Sequence, residues 1–313
     1  MTKRACDTDL ERASKIIDHW PRNSQLDDEL WHKYPRLVER YTLQLRIGDG
    51  SQGVFQALRR SDGAAFAVKT IAHGRGREEA RALTMASAIA GVIKLEEEIF
   101  EMVVGEMDDE VCHLVLELCS CSLTDMIKLK TRLGEKEAAT VVYNVAVALD
   151  QVHDRGMIHC DIKPGNVLVK PASAGSSTPG AAVAAATNKY EIKLGDFGSC
   201  WPWSSDGIGT PGFMAPESVI AGSYSTASDV FGLGMVLYTC LSGMTPFYNL
   251  SYRRMMEVFA RSDDKIQREL KWDCIPPLAA DLIRCMIARS PEERFTLEQF
   301  FDHEWILGFF PDQ

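Results

Sequence analysis

Three observations predict an α+β fold of two parts. Apolar residues between positions 41 and 119 alternate at the two-residue period of strands, and a single helical stretch interrupts them. After Ser122 the texture turns to long amphipathic helices. The first part therefore reads as a five-stranded antiparallel sheet with one helix, and the second as mostly helical.

In chain order, residues 1–40 carry two short helical patterns, 10–20 and 27–34, separated by Pro21 and Asn23. They read as an N-terminal extension that could serve a regulatory partner. From Tyr41 the residues Leu43, Leu45 and Ile47 alternate, a glycine turn follows, and strands resume over 54–58 and 64–71. A helix over 77–90 and strands over 92–99 and 111–119 complete a small lobe at 41–118. The second lobe, 119–308, begins at a hinge near 118–122. Its helix over 138–153 places Val142, Val145, Leu149 and Val152 at helical spacing, and further helices are expected over 229–241, 253–260, 279–288 and 297–305. Residues 170–188, rich in Ala, Ser, Gly and Pro, join short strands at 167–169 and 191–194 and read as a disordered surface insertion.

The 313 residues, 46% apolar and 25% charged, suit a soluble globular protein of one large domain or two lobes. A formal charge of -10 argues against nucleic-acid binding, and no apolar run is long enough to span a bilayer. The N-terminus lacks the apolar core of a signal peptide. Nine cysteines without CxxC spacing read as reduced thiols, which sets the expected location as cytoplasmic, nuclear or both.

The chemistry is concentrated in two acidic segments. His159-Cys160-Asp161-Ile162-Lys163-Pro164-Gly165-Asn166 supplies a carboxylate to orient a hydroxyl and an amide to hold a cation; Asp196-Phe197-Gly198 supplies a second carboxylate. Upstream, Gly48-Asp49-Gly50-Ser51-Gln52-Gly53 occupies a strand–turn–strand context in which a backbone free of Cβ atoms can fold over phosphates. Lys69 lies on the following strand, and Glu79, with Glu78 as the alternative, is the helix carboxylate to hold it. Leu83, one turn beyond Glu79, favours that choice.

With these segments in order from Gly48 to Arg294, the chain resembles the eukaryotic protein kinases of serine/threonine type. The resemblance implies a two-lobed kinase fold, ATP and Mg²⁺ as cofactors, and protein substrates with serine or threonine acceptors. By the same resemblance Asp161 is the catalytic base, Lys163 neutralises charge on the transferring phosphoryl group, and Asn166 and Asp196 hold the metal. Lys69 pairs with the nucleotide phosphates and counts with Asp161 and Lys163 among the catalytic residues. Ile47, Gly48, Asp49, Gly50, Ser51, Gln52, Gly53, Val54, Phe55, Ala67, Leu168 and the backbones of Glu117 and Cys119 form the nucleotide site behind the gatekeeper Leu116. Thr210 would bond Asp161 and Lys163, Glu217 would pair with Arg294, Asp229 would anchor the catalytic-loop backbone, and His159 would pack on Phe197.

The chain departs from the family pattern in several places. Gln52 stands where the loop tip usually carries an aromatic, and Val54-Phe55 differs where a side chain packs over adenine. Cys160 replaces the arginine that precedes the catalytic aspartate, and Asp206 falls at the usual phosphoacceptor position. These two departures predict activity without activation-loop phosphorylation. Gly165 replaces the glutamate of basophilic relatives, which disfavours strong arginine-directed selectivity. Two alternatives remain open: a dual-specificity kinase and a nucleotide-binding pseudokinase scaffold.

Overall fold

The computed structural model describes residues 33–48, 53–103, 110–171, 190–202, 209–247, 250–260 and 263–311. The described chain forms two compact units. One runs through Ser87 and resumes over Ile93–Cys121; the other contains Ala88–Val92 and everything from Ser122 onward.

The first unit is the expected antiparallel sheet: β1 (Tyr41–Gly48), β2 (Val54–Arg59), β3 (Ala65–Ala72), β4 (Leu95–Met102) and β5 (Glu110–Glu117), in the order β1-β2-β3-β5-β4. Two helices accompany it, α1 (Pro35–Arg40) and α2 (His73–Met85). On one face Leu37 and Val38 of α1 join Tyr34, Tyr41, Leu43, Phe66, Val68, Ile99, Val111 and Val115 in a buried cluster. Burying side chains of this kind stabilises a fold by about 1.5–3 kcal/mol each.

α2 packs on β3 and β5. It begins four residues earlier than the sequence pattern predicts, directly at the end of β3, and ends at Met85 rather than residue 90. Two glycines in its first turns conceal that start, since glycine weakens a helix interior. Gly76 has a packing reason: a Cβ there would sit 2.3 Å from the Cβ of Cys112 on β5. The fourth strand also lies later than predicted. Its four glutamates obscure an alternation in which Leu95, Glu97, Ile99 and Glu101 turn toward the interior side while Glu96, Glu98 and Met102 are exposed.

The second unit is helical around one short hairpin: α3 (Leu123–Lys130), α4 (Glu135–Asp154), β6 (Val167–Pro171) paired antiparallel with β7 (Tyr190–Leu194), α5 (Pro216–Ala221), α6 (Thr226–Ser242), α7 (Tyr252–Phe259), α8 (Asp263–Arg268), α9 (Pro277–Met286), α10 (Leu297–Phe301) and α11 (Glu304–Leu307). The insertion expected over 170–188 lies outside the described residues except Lys170 and Pro171, which extend β6.

α6 is the axis of this unit. It is buried on every side from Ser228 to Ser242 and packs against α4 and α9, as an all-round apolar helix must. Gly232 allows the chain segment carrying Ile162 to approach, because a Cβ at 232 would lie 2.9 Å from that of Ile162. The single helix predicted over 297–305 is two helices. The chain breaks at Asp302, and the His303 side chain accepts the Trp305 N–H to cap the second.

Candidate active site

In the first unit, β1 ends at Ile47 and Gly48; Asp49, Gly50, Ser51 and Gln52 lie outside the described residues. Gly53 has φ +90°, a value that favours glycine, and it leads into Val54 and Phe55 on β2. The register carries this turn to the lysine strand: Gly48 pairs with Val54, and Val54 pairs with Lys69. Ala67 lies two residues earlier on β3.

Lys69 Nζ donates to both carboxylate oxygens of Glu79, at 2.9 and 2.8 Å. Glu79 is almost fully buried, so this pair joins β3 to α2 inside the unit. Of the two glutamates weighed from sequence, it is Glu79 that meets the lysine. Glu117 ends β5, where its N–H donates to Lys94 O (2.9 Å) and its carboxylate accepts the Lys94 N–H (2.9 Å). Cys119 follows, partly buried.

In the second unit, Asp161, Lys163, Asn166 and Thr210 converge. Asp161 Oδ1 accepts the Thr210 backbone N–H at 2.9 Å and its hydroxyl at 2.8 Å. Oδ2 accepts from Lys163 Nζ at 2.6 Å and from Asn166 Nδ2 at 3.0 Å. Lys163 also donates to the Thr210 hydroxyl at 2.6 Å, closing a ring of contacts. The short 3₁₀ turn Pro164–Asn166 brings Asn166 back beneath Asp161, where Nδ2 also bonds the Asp161 carbonyl at 2.8 Å.

A second layer fixes the loop. Asp229, near the start of α6, accepts the backbone N–H of His159 (2.8 Å) and Cys160 (2.9 Å) and lies 2.8 Å from His153 Nε2. His159 Nε2 is 3.0 Å from the Gly195 carbonyl, which can only accept, so this nitrogen carries the proton. Its Nδ1 then accepts the Asp161 N–H at 3.3 Å, and the ring packs edge-on against Phe197 at 4.9 Å. Both ring nitrogens of His159 are engaged within the fold.

The second acidic segment adjoins the first. Gly195 N–H donates to the Asn166 carbonyl at 2.8 Å, which sets Asp196 next to Asn166, and Leu168 lies on β6 just beyond. Asp196 has φ 59° and ψ 72°, a left-handed conformation in which aspartate is among the better-tolerated residues. The donor set suits a hard divalent cation: Asn166 has committed its amide nitrogen to Asp161, leaving its oxygen, and Asp196 contributes a carboxylate.

Cys160 takes a left-handed conformation (φ 67°), and its thiol donates to the Ile158 carbonyl at 3.4 Å. Burial, and then the nearby Asp229 charge, push this thiol well above its ordinary range. The loop is tied to the segment after Asp196 by a two-way backbone pair, Ile158 N–H to Trp201 O (3.2 Å) and Trp201 N–H to Ile158 O (2.9 Å). Trp203, Ser204, Ser205 and Asp206 lie outside the described residues. Farther along, Arg294 grips Glu217 with two nitrogens, at 2.7 and 2.9 Å, and Ser228 donates to the same carboxylate at 2.9 Å.

The sheet unit carries a buried lysine–glutamate pair, and the helical unit carries an aspartate that accepts from four donors. Residues 41–306 match the protein kinase domain, and the chain belongs to that family. It is 28% identical over 312 residues to calcium-dependent protein kinase 6 of Oryza sativa subsp. japonica, covering 95% of this chain and 54% of the relative. It is 30% identical over 283 residues to ribosomal protein S6 kinase alpha-2 of Mus musculus (87% and 36%). It is also 30% identical over 339 residues to serine/threonine-protein kinase srk1 of Schizosaccharomyces pombe (strain 972 / ATCC 24843), covering 96% and 58%. The chain thus spans about half or less of the length of the relatives it matches first. No helix among the described residues is long and apolar enough to cross a membrane.

Proposed function

We propose that this protein is a serine/threonine protein kinase that transfers the γ-phosphoryl group of MgATP to hydroxyls of protein substrates. The observation that carries this reading is the convergence of four donors on Asp161. They fix the direction of a carboxylate that can accept the proton of an incoming hydroxyl and align its oxygen. Lys163 brings positive charge to the same point, and Thr210 keeps lysine and aspartate in register. Asn166 and Asp196 are the residues that would hold Mg²⁺, and Lys69, held by Glu79, the one that would meet nucleotide phosphates. When bound, MgATP supplies the transferable group and neutralises charge on its phosphates.

The test is labelled ATP with generic protein substrates, comparing wild type with Asp161→Asn. Transfer should fall by roughly 10²–10⁴-fold, the contribution of a positioned base. Labelling by neither protein would leave only a nucleotide-binding scaffold, and equal labelling by both would refute the role given to Asp161. Phosphoamino-acid analysis of the product should give phosphoserine and phosphothreonine; phosphotyrosine would point to dual specificity.

Activity without activation-segment phosphorylation belongs to the same proposal. A half-buried thiol stands where a phosphate-binding guanidinium would be needed, and the Ile158–Trp201 backbone pair supplies an alternative tie between the two segments. Phosphatase treatment and the double change Ser204→Ala, Ser205→Ala should both leave activity intact, and loss in both would refute the idea. Gly165 beside the catalytic residues carries no acid for a basic substrate, so a peptide array should show no dominant arginine preference. A regulatory partner on residues 1–40 is likewise proposed. So is a reducing, cytoplasmic or nuclear location, on the ground that the nine cysteines show no CxxC spacing.

A further inference from the structure

The small unit holds two buried ionisable side chains that the proposed chemistry does not use, Glu101 and His113, 4% and 0% exposed. On β4, Glu97 and Glu101 flank Ile99 on the side that faces the apolar cluster. Inward charge on an edge strand discourages pairing with another sheet, yet carboxylates so placed still need partners. Residues 34–41 provide them. The N–H groups of Arg36 and Leu37, at the start of α1, donate to Glu101 at 2.5 and 3.3 Å, and the N-cap residue Tyr34 makes no side-chain bond of its own there. Arg40 lies 2.6 Å from Glu97, and the Tyr41 hydroxyl donates to Glu97 as well.

The contacts continue inward. His113 Nε2 lies 3.3 Å from Glu101 Oε2 without an aligned hydrogen bond, and Tyr34 packs edge-on against its ring at 4.9 Å. His113 Nδ1 is 2.8 Å from the Thr70 hydroxyl, on the residue directly opposite in the β3–β5 register. Thr70 follows Lys69 on β3, and the two side chains leave the strand on opposite faces.

We propose that Glu101, His113 and Thr70 are positioning residues, a buried relay through which the seating of residues 34–41 sets the placement of Lys69. Glu79 holds Lys69 from the α2 face; the Thr70–His113 contact holds the same stretch of β3 from the α1 face. The inference rests on the reading of Lys69 as the partner of nucleotide phosphates.

The experiment compares Glu101→Gln, Thr70→Val and Thr70→Ser in the full chain, with Val103→Ala, elsewhere in the same apolar cluster, as a stability control. Glu101→Gln and Thr70→Val should raise the KM for ATP about 3- to 10-fold, with kcat per folded molecule within about 2-fold of wild type, in keeping with loss of binding rather than of chemistry. Thr70→Ser, which keeps the hydroxyl, should restore the wild-type KM. Val103→Ala should lower the unfolding midpoint and leave KM alone. The relay is overturned if KM stays at the wild-type value in both relay variants, or rises equally in Val103→Ala. Amide hydrogen exchange is followed on the same proteins without nucleotide. Glu101→Gln should speed exchange in residues 35–40 and 68–71 together; faster exchange in the first stretch alone would also sink the proposal. A wild-type protein that neither binds MgADP nor transfers phosphate would defeat the kinase reading itself, and exchange would still judge the relay.

Discussion

Thr210 gives both its backbone N–H and its hydroxyl to a single oxygen of Asp161, while that hydroxyl accepts from Lys163. One side chain therefore closes the triangle that keeps a lysine and an aspartate at working distance. Truncating the hydroxyl removes two charge-assisted hydrogen bonds, each of a kind worth about 1.5–3 kcal/mol. Thr210→Val should lower kcat roughly 10- to 100-fold and leave nucleotide affinity unchanged, whereas Thr210→Ser should retain most activity. Initial rates over a range of ATP concentrations separate these outcomes.

Arg294 has no exposed side-chain surface; it pairs with Glu217 and also donates to the carbonyls of Ala227, Ala288 and Arg289. Removing one partner of such a buried pair leaves the other charge stranded and costs about 3–5 kcal/mol. Arg294→Ala should produce a loss of that size in urea unfolding. Arg294→Lys should recover little of it, because a single ammonium cannot reproduce the two-nitrogen grip.

Alkaline pH should destabilise the fold before acid chemistry matters to these groups. Burial raises the thiols of Cys112 and Cys200 from the ordinary 9.0 to about 12, and raises Cys160 and Cys240 further. Burial and the bond to Glu97 raise Tyr41 from 10.0 to about 12. Folded-state values above the unfolded ones mean that the folded chain retains these protons longer. The stability they contribute is complete below about pH 9 and is lost as pH climbs toward 12. Urea midpoints measured at intervals from pH 8 to 11 should decline steadily above 9; a flat profile would contradict the burial of these groups.

Gly76 should tolerate no side chain. Replacing it with valine drives atoms into Cys112, and overpacking of this kind costs about 1–3 kcal/mol. The thermal midpoint of Gly76→Val should fall accordingly, with a concurrent rise in the KM for ATP if α2 and Glu79 shift with it.

Much of the fold was legible because its signals are local. The alternation that opens β1 and the 3.6-residue period of α4 follow directly from which faces are buried, while β3 reads as a near-continuous apolar run because both its faces are covered. The contacts Glu217–Arg294, Thr210–Asp161 and Asp229 with the loop amides could be anticipated only from the resemblance, since no spacing rule joins residues 49 to 77 positions apart. What escaped has a physical cause in each case. α1 was hidden because its proline occupies the first helical turn, where proline is well suited, yet reads from sequence as a break. β4 was misplaced because two of its inward positions are glutamates, whose partners lie about 60 residues away in sequence. Position 302 gave no sign that one helix would become two.

The match to the protein kinase domain stops at residues 41 and 306, but the packing does not. Leu37 and Val38 are interior residues of the sheet unit, and Phe310 stacks on Tyr143 at 4.4 Å in the helical one. A fragment trimmed to residues 41–306 would leave an unfilled hollow at either end, strip Glu101 of the two N–H donors from Arg36 and Leu37, and take Arg40 away from Glu97. Such a piece should precipitate or melt early, and its poor behaviour would say nothing about the intact polypeptide.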